Sequence, residues 1–150
     1  MSKIISILLF LVVLVSCSFK PMLANKKYDF RFVNIKFEGD KKVNEIVKQN
    51  LIQSGSGKEN FDIFFETKKI KEIISSNAKG DPEKFKLEIQ FEYQIIRNEE
   101  ILINKSIRKH TSYNNINDKF ELSQFEANVI NNITEEIIQE ILTSVMAVGS

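Results

Sequence analysis

The clearest pattern of hydrophobic and polar positions runs from Lys84 to Ile95, where the two kinds of side chain alternate without a break. Successive side chains of a strand point to opposite faces of the sheet, so this alternation predicts a strand with one buried and one solvated face. Its apolar positions are Phe85, Leu87, Ile89, Phe91, Tyr93 and Ile95. Such a strand needs a second layer of structure against its apolar face.

Three further segments have strand character. Tyr28 to Glu38 is rich in apolar residues whose parity changes near Val33, so either both faces of this strand are covered or a bulge intervenes there. We expect an inner position in the sheet. The segments Phe61 to Ile74 and Ile101 to Asn114 lie on either side of the alternating strand and are separated from it by turn sequences. The last three strands are therefore expected to form a meander.

Two segments have apolar residues at helical spacing. The first follows Asp40, a residue type that caps helices well, and ends at the glycine- and serine-rich stretch 54–57. Its apolar stripe consists of Val43, Ile46, Val47 and Leu51. The second helix is predicted from Gln124 to Met146, because Ser123 and Glu126 have the spacing of a capping box. Its two apolar rows favour a role in the core over a groove for a partner.

The elements follow one another in the order β-α-β-β-β-α. This order predicts an α+β fold, a two-layer sandwich with two helices packed on one face of a four-stranded mixed sheet. We expect residues 28–150 to form this single domain, since a chain of this size can bury about two-thirds of its unfolded surface.

The beginning of the chain has the pattern of a secretory signal. Lys3 precedes the apolar run Ile4 to Val13. A helix that spans a membrane needs about 20 apolar residues, whereas the core of a signal peptide has about 7–15. We therefore expect residues 1–16 to be a signal peptide that is removed.

The apolar run ends in Leu14-Val15-Ser16-Cys17, which resembles the lipobox of bacterial lipoproteins. In such proteins the cysteine receives acyl chains such as palmitate and becomes the first residue. As the only cysteine, Cys17 cannot form an internal disulfide, and the alternative is an incidental buried thiol. We predict lipidation at Cys17 and a lipidated tether at 17–27, anchored stably by two or more acyl chains. Ser18, in place of the retention signal Asp, favours the outer membrane.

The charge of the chain narrows the class of partner. The full sequence has 21 basic and 20 acidic residues, and removal of residues 1–16 takes away only Lys3, which leaves 20 of each sign. Proteins that bind nucleic acid usually carry a basic excess on one face, so no nucleic-acid partner is expected.

Candidate chemistry is sparse. The only histidine, His110, lies in a strand beside basic residues and is best interpreted as solvated. Lone histidine and cysteine residues cannot build a metal site. The stretch Gly55 to Lys58 lacks the Ser or Thr that a phosphate-binding loop needs after its lysine, and it follows a helix where that loop follows a strand. We therefore expect no enzymatic activity, no metal and no cofactor.

Three short matches resemble the LptE family of lipopolysaccharide-assembly lipoproteins in the Gram-negative envelope. They are Cys17-Ser18-Phe19-Lys20-Pro21-Met22, Ser112-Tyr113-Asn114 and Glu126-Ala127. Ser18 and Met22 depart from the Gly and Leu that are commoner in the family. The resemblance implies a non-enzymatic outer-membrane lipoprotein that plugs the LptD β-barrel, assists its assembly and helps deliver lipopolysaccharide to the cell surface. The alternative is an accessory lipoprotein of another envelope or transport complex that binds protein only.

Contact with lipopolysaccharide phosphates would need a local group of cations, because the mature chain is neutral. The candidates are Lys105, Arg108 and Lys109 on the last strand, where Lys105 interrupts the apolar alternation. Arg108 has the opposite parity, so the three share one face only if the strand bulges. The alternative is an edge strand that lysine keeps soluble.

Overall fold

The computed structural model describes residues 28–149, and the predicted signal peptide, the tether and Cys17 lie outside them. The elements are β1 (Tyr28–Gly39), α1 (Lys41–Ser54), β2 (Gly55–Ser76), β3 (Pro82–Arg97), β4 (Glu100–Asn114) and α2 (Lys119–Val148). The two helices and the mixed sheet enclose a single hydrophobic core. The predicted α+β fold and its element order are confirmed.

The four-stranded sheet has the order β1-β2-β3-β4, with β1 parallel to β2 and the other neighbours antiparallel. The predicted meander is therefore confirmed, but the predicted inner position of β1 is wrong because β1 is an edge strand. Its change of parity comes from a register shift between Phe32 and Asn34, which leaves Val33 54% exposed. Of the two alternatives, the bulge, and not coverage of both faces, explains the pattern.

The strand β1 turns into α1 through a tight junction at Gly39 and Asp40. The carboxylate of Asp40 accepts the N–H groups of Lys42 and Val43, both at 3.1 Å, as predicted for a cap. The N–H of Asp40 donates to the backbone oxygen of Thr67 in β2 at 3.1 Å. Gly39 has a φ of +98°, and a Cβ there would lie 1.9 Å from the same Thr67 oxygen. The junction therefore requires glycine and ends the pairing of β1 with β2.

The helix α2 begins earlier than predicted. Asp118 caps it by accepting the N–H groups of Phe120 and Glu121 at 2.8 and 2.9 Å. The capping box predicted at Ser123 and Glu126 is wrong, because both residues lie inside the helix. The apolar rows are buried except at their ends, where Phe125 and Met146 are 40% and 42% exposed. Within residues 28–149, no helix combines the length and apolar character needed to cross a bilayer.

The strand β4 departs from strict alternation at its start. Ile95 pairs with Ile103, but its neighbour Ile96 pairs with Ile101, so one extra residue is inserted in β4. This bulge turns Ile101 out of the core, and it is 53% exposed. Ile103 and Ile107 are buried as the pattern predicts.

Candidate functional site

The three candidate cations on β4 lie on two faces of the sheet. Lys105 and Lys109 are opposite Tyr93 and Ile89, whose side chains belong to the core face. Arg108 is opposite Gln90, on the other face. No register shift occurs between residues 105 and 109. Since side chains alternate along an unbulged strand, the three cations do not form one cluster.

The two lysines line a groove between β4 and α2 with a volume of about 680 Å³. The Nζ of Lys109 lies 3.5 Å from Oε2 of Glu140. The lining consists of Lys105, Lys109, Glu136, Gln139, Glu140, Thr143, Ser144 and Ala147. The groove thus holds as many carboxylates as ammonium groups, so an anion that enters it must compete with Glu136 and Glu140 for the lysines.

Arg108 faces a network of charges on the solvated side of the sheet. Glu88 accepts hydrogen bonds of 2.8 Å from Gln90 and from Lys86. The hydrogen bond from Gln90 has the largest effect on the pKa of Glu88, and the hydrogen bond from Lys86 has the next largest. They lower this pKa to about 2, and the charge of Arg108 acts in the same direction. The carboxylate therefore stays ionised and attracts Arg108, which gives this face alternating charge.

A second cluster ties four elements together at the end of the β2–β3 hairpin. The hydroxyl of Tyr113 in β4 donates to Oε1 of Glu126 in α2 at 2.7 Å. The ammonium of Lys71 in β2 donates to the same oxygen and lies 4.2 Å from the ring centroid of Phe85 in β3. This cluster of Lys71, Phe85, Tyr113 and Glu126 is called the hairpin-end cluster below.

The hairpin-end cluster changes the acidity of its members. Burial disfavours ionisation of Glu126, but the hydrogen bonds from Lys71 and Tyr113 outweigh it and hold its pKa below the ordinary value. Burial is the main cause that raises the pKa of Tyr113, and the hydrogen bond to Glu126 raises it as well. The carboxylate of Glu126 is thus held ionised and the phenol of Tyr113 is held neutral. The cluster therefore keeps its polar contacts between the strands and α2.

Sequence reasoning found two members of this cluster without joining them. Tyr113 and Glu126 belong to separate motif matches, and Glu126 was assigned to a helix cap. The available signal was the parity of β4, which places Tyr113 on the core face with Ile103 and Ile107. Lys71 was missed because nothing local distinguishes it from other strand lysines.

The remaining candidates have structural explanations. His110 is exposed in β4 with Glu88 as its Cα partner. The stretch Gly55 to Lys58 forms the start of β2, and a Cβ at Gly57 would lie 1.7 Å from the carbonyl carbon of Asp29. This glycine therefore permits close approach to β1 and does not cradle a phosphate. Among residues 28–149, no group of three or more His, Cys, Asp or Glu side chains could hold a metal ion.

The architecture places the chain in the class of small two-layer α+β domains. Comparison with solved structures identifies proteins of this class that have a similar fold. The fold matches that of rare lipoprotein B from Shewanella oneidensis with a TM-score of 0.57 at 9% identity, over 78% of this chain and 99% of that one. It matches lipoprotein B from Nitrosomonas europaea with a TM-score of 0.55 at 13% identity, over 89% and 93% of the two chains.

A lipoprotein from Caulobacter crescentus has the same fold, with a TM-score of 0.53 at 10% identity over 77% of this chain and 92% of that chain. No known protein-family model matches the chain, and no curated protein matches its sequence. At these identities the likeness is one of fold. The chain therefore shares its architecture with bacterial lipoproteins.

Proposed function

We propose that the chain is a non-enzymatic lipoprotein of the outer membrane that acts as the LptE family does. In this role it is acylated at Cys17, plugs and assists assembly of an LptD-like β-barrel, and helps deliver lipopolysaccharide to the cell surface. The observation that carries the proposal is the hydrogen bond of 2.7 Å between Tyr113 and Glu126. It joins two of the three motif matches in one contact, within a fold shared with lipoproteins.

The outer face of the sheet supports a role inside a barrel. Transmembrane barrels have a polar interior, and a protein that occupies one must present polar side chains to it. The outward row of β3 consists of Lys84, Lys86, Glu88, Gln90, Glu92 and Gln94. This row offers charges of both signs and amides, which suits hydrogen bonding to a polar wall.

The positions of the basic residues divide the proposed lipopolysaccharide contact in two. Arg108 lies on the open face, where a guanidinium can bind a phosphate through two parallel hydrogen bonds. Lys105 and Lys109 lie on the core-facing side, in the groove beside α2, and act as point charges. We expect the two sides to reach different anionic groups of the lipid.

A second candidate function is an accessory lipoprotein of another envelope or transport complex that binds protein only. The balanced charge of the β4–α2 groove favours it, because Lys109 already has Glu140 at 3.5 Å. A groove whose lysines are compensated has less electrostatic attraction for phosphate than an uncompensated one.

Depletion of the chain in the cells that produce it distinguishes the two functions. If it serves the barrel, depletion should lower the amount of folded barrel and of lipopolysaccharide at the cell surface, and the unaltered gene should restore both. A Cys17→Ala variant, expressed to the same level, reports on the lipid anchor separately. Unchanged surface lipopolysaccharide after complete depletion would contradict the proposal and favour the protein-only function.

A further inference from the structure

The strand β1 is an edge of the sheet, and no strand among residues 28–149 pairs with its outer side. Its apolar side chains are incompletely covered there. Val33 is 54% and Phe37 is 39% exposed, and Phe32 and Ile35 are only partly buried. Unpaired backbone groups beside such side chains make an edge strand a template for the addition of another strand.

The backbone groups that face the open side follow from the pairing of β1 with β2. Of two residues that lie opposite each other in a parallel pair, one directs its N–H and C=O into the pair and the other directs them away. The carbonyl of Thr67 accepts the N–H of Asp40, so Gly39, opposite Thr67, directs its groups away from β2. These directions alternate along a strand. Ile35 and Phe37 therefore direct N–H and C=O to the open side.

The solvated face of the sheet leaves a charge uncompensated toward each end of β1. Glu38 lies opposite Glu66, which lies opposite Glu92, and all three side chains are exposed. Like charges directly opposite each other on neighbouring strands repel. Arg31 donates its Nε–H to the amide oxygen of Asn60 at 2.7 Å, and no carboxylate of residues 28–149 forms an ion pair with it. One end of β1 thus needs a cation and the other an anion.

A second copy of β1 supplies both charges when it pairs antiparallel about a two-fold axis through Ile35. Val33 is left out of this pairing as an extra residue, as it is in the pairing with β2. The opposite residues are then Ile35 with Ile35, Lys36 with Asn34, Phe37 with Phe32, and Glu38 with Arg31. Apolar side chains meet on the core face, and opposite charges meet on the solvated face. Because Ile35 directs both backbone groups outward, it exchanges two hydrogen bonds with its counterpart.

Neighbouring two-fold registers do not compensate the two charges. An axis through Asn34 places Lys36 opposite Arg31, and an axis through Lys36 places two lysines opposite each other. An axis through Phe32 leaves Arg31 opposite the neutral Asn34. The bulge and the charges together therefore select the axis through Ile35.

The helix α1 adds to the same contact. The two-fold axis of an antiparallel strand pair stands perpendicular to the sheet, so the helices of both copies lie on one face. The Nζ of Lys48 lies 5.6 Å from the ring centroid of Phe37 in the edge strand. Ile52 follows four residues later on the same side of the helix and is 56% exposed. An apolar side chain of α1 is thus available where the two copies meet.

We propose that β1 is a self-association edge, which pairs antiparallel with β1 of a second copy of this chain about Ile35 and forms a continuous eight-stranded sheet. The symmetry makes each Arg31–Glu38 pair occur twice. This inference goes beyond the proposed function, because it concerns the chain outside any complex with a barrel. Its failure leaves the barrel proposal unaffected, since self-association of the purified chain is measured without the barrel.

Sedimentation equilibrium of the full chain in mild detergent tests the inference. The parent should form dimers below about 0.1 mM. Arg31→Glu or Glu38→Arg alone should weaken association by about tenfold or more, because each change places two like-charged pairs in the contact. An equal mixture of the two variants should restore association, since each supplies the charge that the other lacks. Lys79→Glu, an exposed change in the distant β2–β3 turn, is the control and should associate as the parent does.

Three results of this experiment would overturn the inference. The first is a parent that stays monomeric at about 0.1 mM. The second is equal association of the parent and both single variants, which would assign the contact to another surface or to the lipid anchor. The third is a mixture that associates no more strongly than its components.

Amide exchange of the ¹⁵N-labelled chain shows whether the association is a pairing of strands. As the protein concentration rises, exchange at Ile35 and Phe37 should slow by about tenfold or more, whereas Lys36, whose N–H already faces β2, should change little. Dimers without slower exchange at Ile35 and Phe37 would contradict the inference. Slower exchange only in a complex with a different protein would assign the edge to that protein and overturn the inference.

Discussion

The phenol of Tyr113 and the carboxylate of Glu126 are joined by a hydrogen bond of 2.7 Å, which fixes the end of β4 against the first turns of α2. The same carboxylate oxygen accepts a hydrogen bond from Lys71, so strand β2 is held at the same point. The beginning of the long helix is therefore positioned by polar contacts as well as by apolar packing.

Removal of the Tyr113 hydroxyl tests the contribution of its hydrogen bond to Glu126. Hydrogen bonds to charged groups contribute about 1.5–3 kcal/mol, so Tyr113→Phe should lower the free energy of unfolding by about that amount. Urea denaturation followed by circular dichroism measures it. Tyr93→Phe is the matched control, because the hydroxyl of Tyr93 makes a longer bond of 3.3 Å to the neutral Ser144. It should cost about 1 kcal/mol or less. An equal loss in both variants would show that the Glu126 contact adds nothing.

The depressed pKa of Glu126 predicts a dependence of stability on acidity. Burial raises the pKa of Glu126, but the hydrogen bonds from Lys71 and Tyr113 lower it by more than burial raises it. The pKa in the folded state therefore lies below the ordinary value. The stabilisation is therefore complete above the ordinary glutamate pKa and is lost as pH falls through the folded value. Unfolding free energies measured between about pH 7 and pH 3 should decrease more steeply in the parent than in Glu126→Gln. Parallel curves would contradict this assignment.

The junction between β1 and α1 predicts a difference between two glycines. Gly39 and Gly80 both have positive φ, but a Cβ at Gly39 would overlap the Thr67 oxygen, whereas nothing lies within 4 Å of one at Gly80. Gly80→Ala should cost about 1–2 kcal/mol for the backbone conformation alone. Gly39→Ala should cost about 3 kcal/mol or more, because the overlap is added. Equal melting temperatures for the two variants would show that the junction can relax.

Under the proposed function, the division of the basic residues between two faces predicts separable effects on lipopolysaccharide binding. Arg108→Glu should weaken binding at low salt without altering the β4–α2 groove, and Lys105→Glu with Lys109→Glu should weaken it through the groove. The three changes together should abolish binding and leave the circular dichroism unchanged. His110→Glu, an exposed change on the same strand, is the control. Binding by the triple variant equal to that of the parent would exclude these residues as the contact.

The elements of the fold could be predicted because each one has a strong local pattern. The alternation in β3 and the apolar stripe of α1 each specify a face, and the structure buries those faces. The position of β1 at the edge was not predictable in the same way. A bulge near Val33 and burial on both faces produce the same change of parity, and only the pairing of strands separates them.

The start of α2 and the hairpin-end cluster show the limit of local reasoning about the candidate site. Asp118 and Ser123 are both good capping residues, and the sequence offers a glutamate three positions after Ser123. In the folded chain, Glu126 instead meets Tyr113 and Lys71, which is 55 residues away. Long-range contacts of this kind decide the role of a carboxylate, and no local spacing encodes them.

The central claim, that the chain is an acylated lipoprotein held in a β-barrel, is tested most directly by native mass spectrometry of the complex extracted from native membranes in mild detergent. The account predicts one chain that begins at Cys17, carries the added mass of acyl groups and is bound to one barrel protein. Denaturing spectra of the same sample separate the mass of the acyl groups from that of the partner. A chain without acyl mass, or an acylated chain whose stoichiometric partner is not a barrel, would contradict the account.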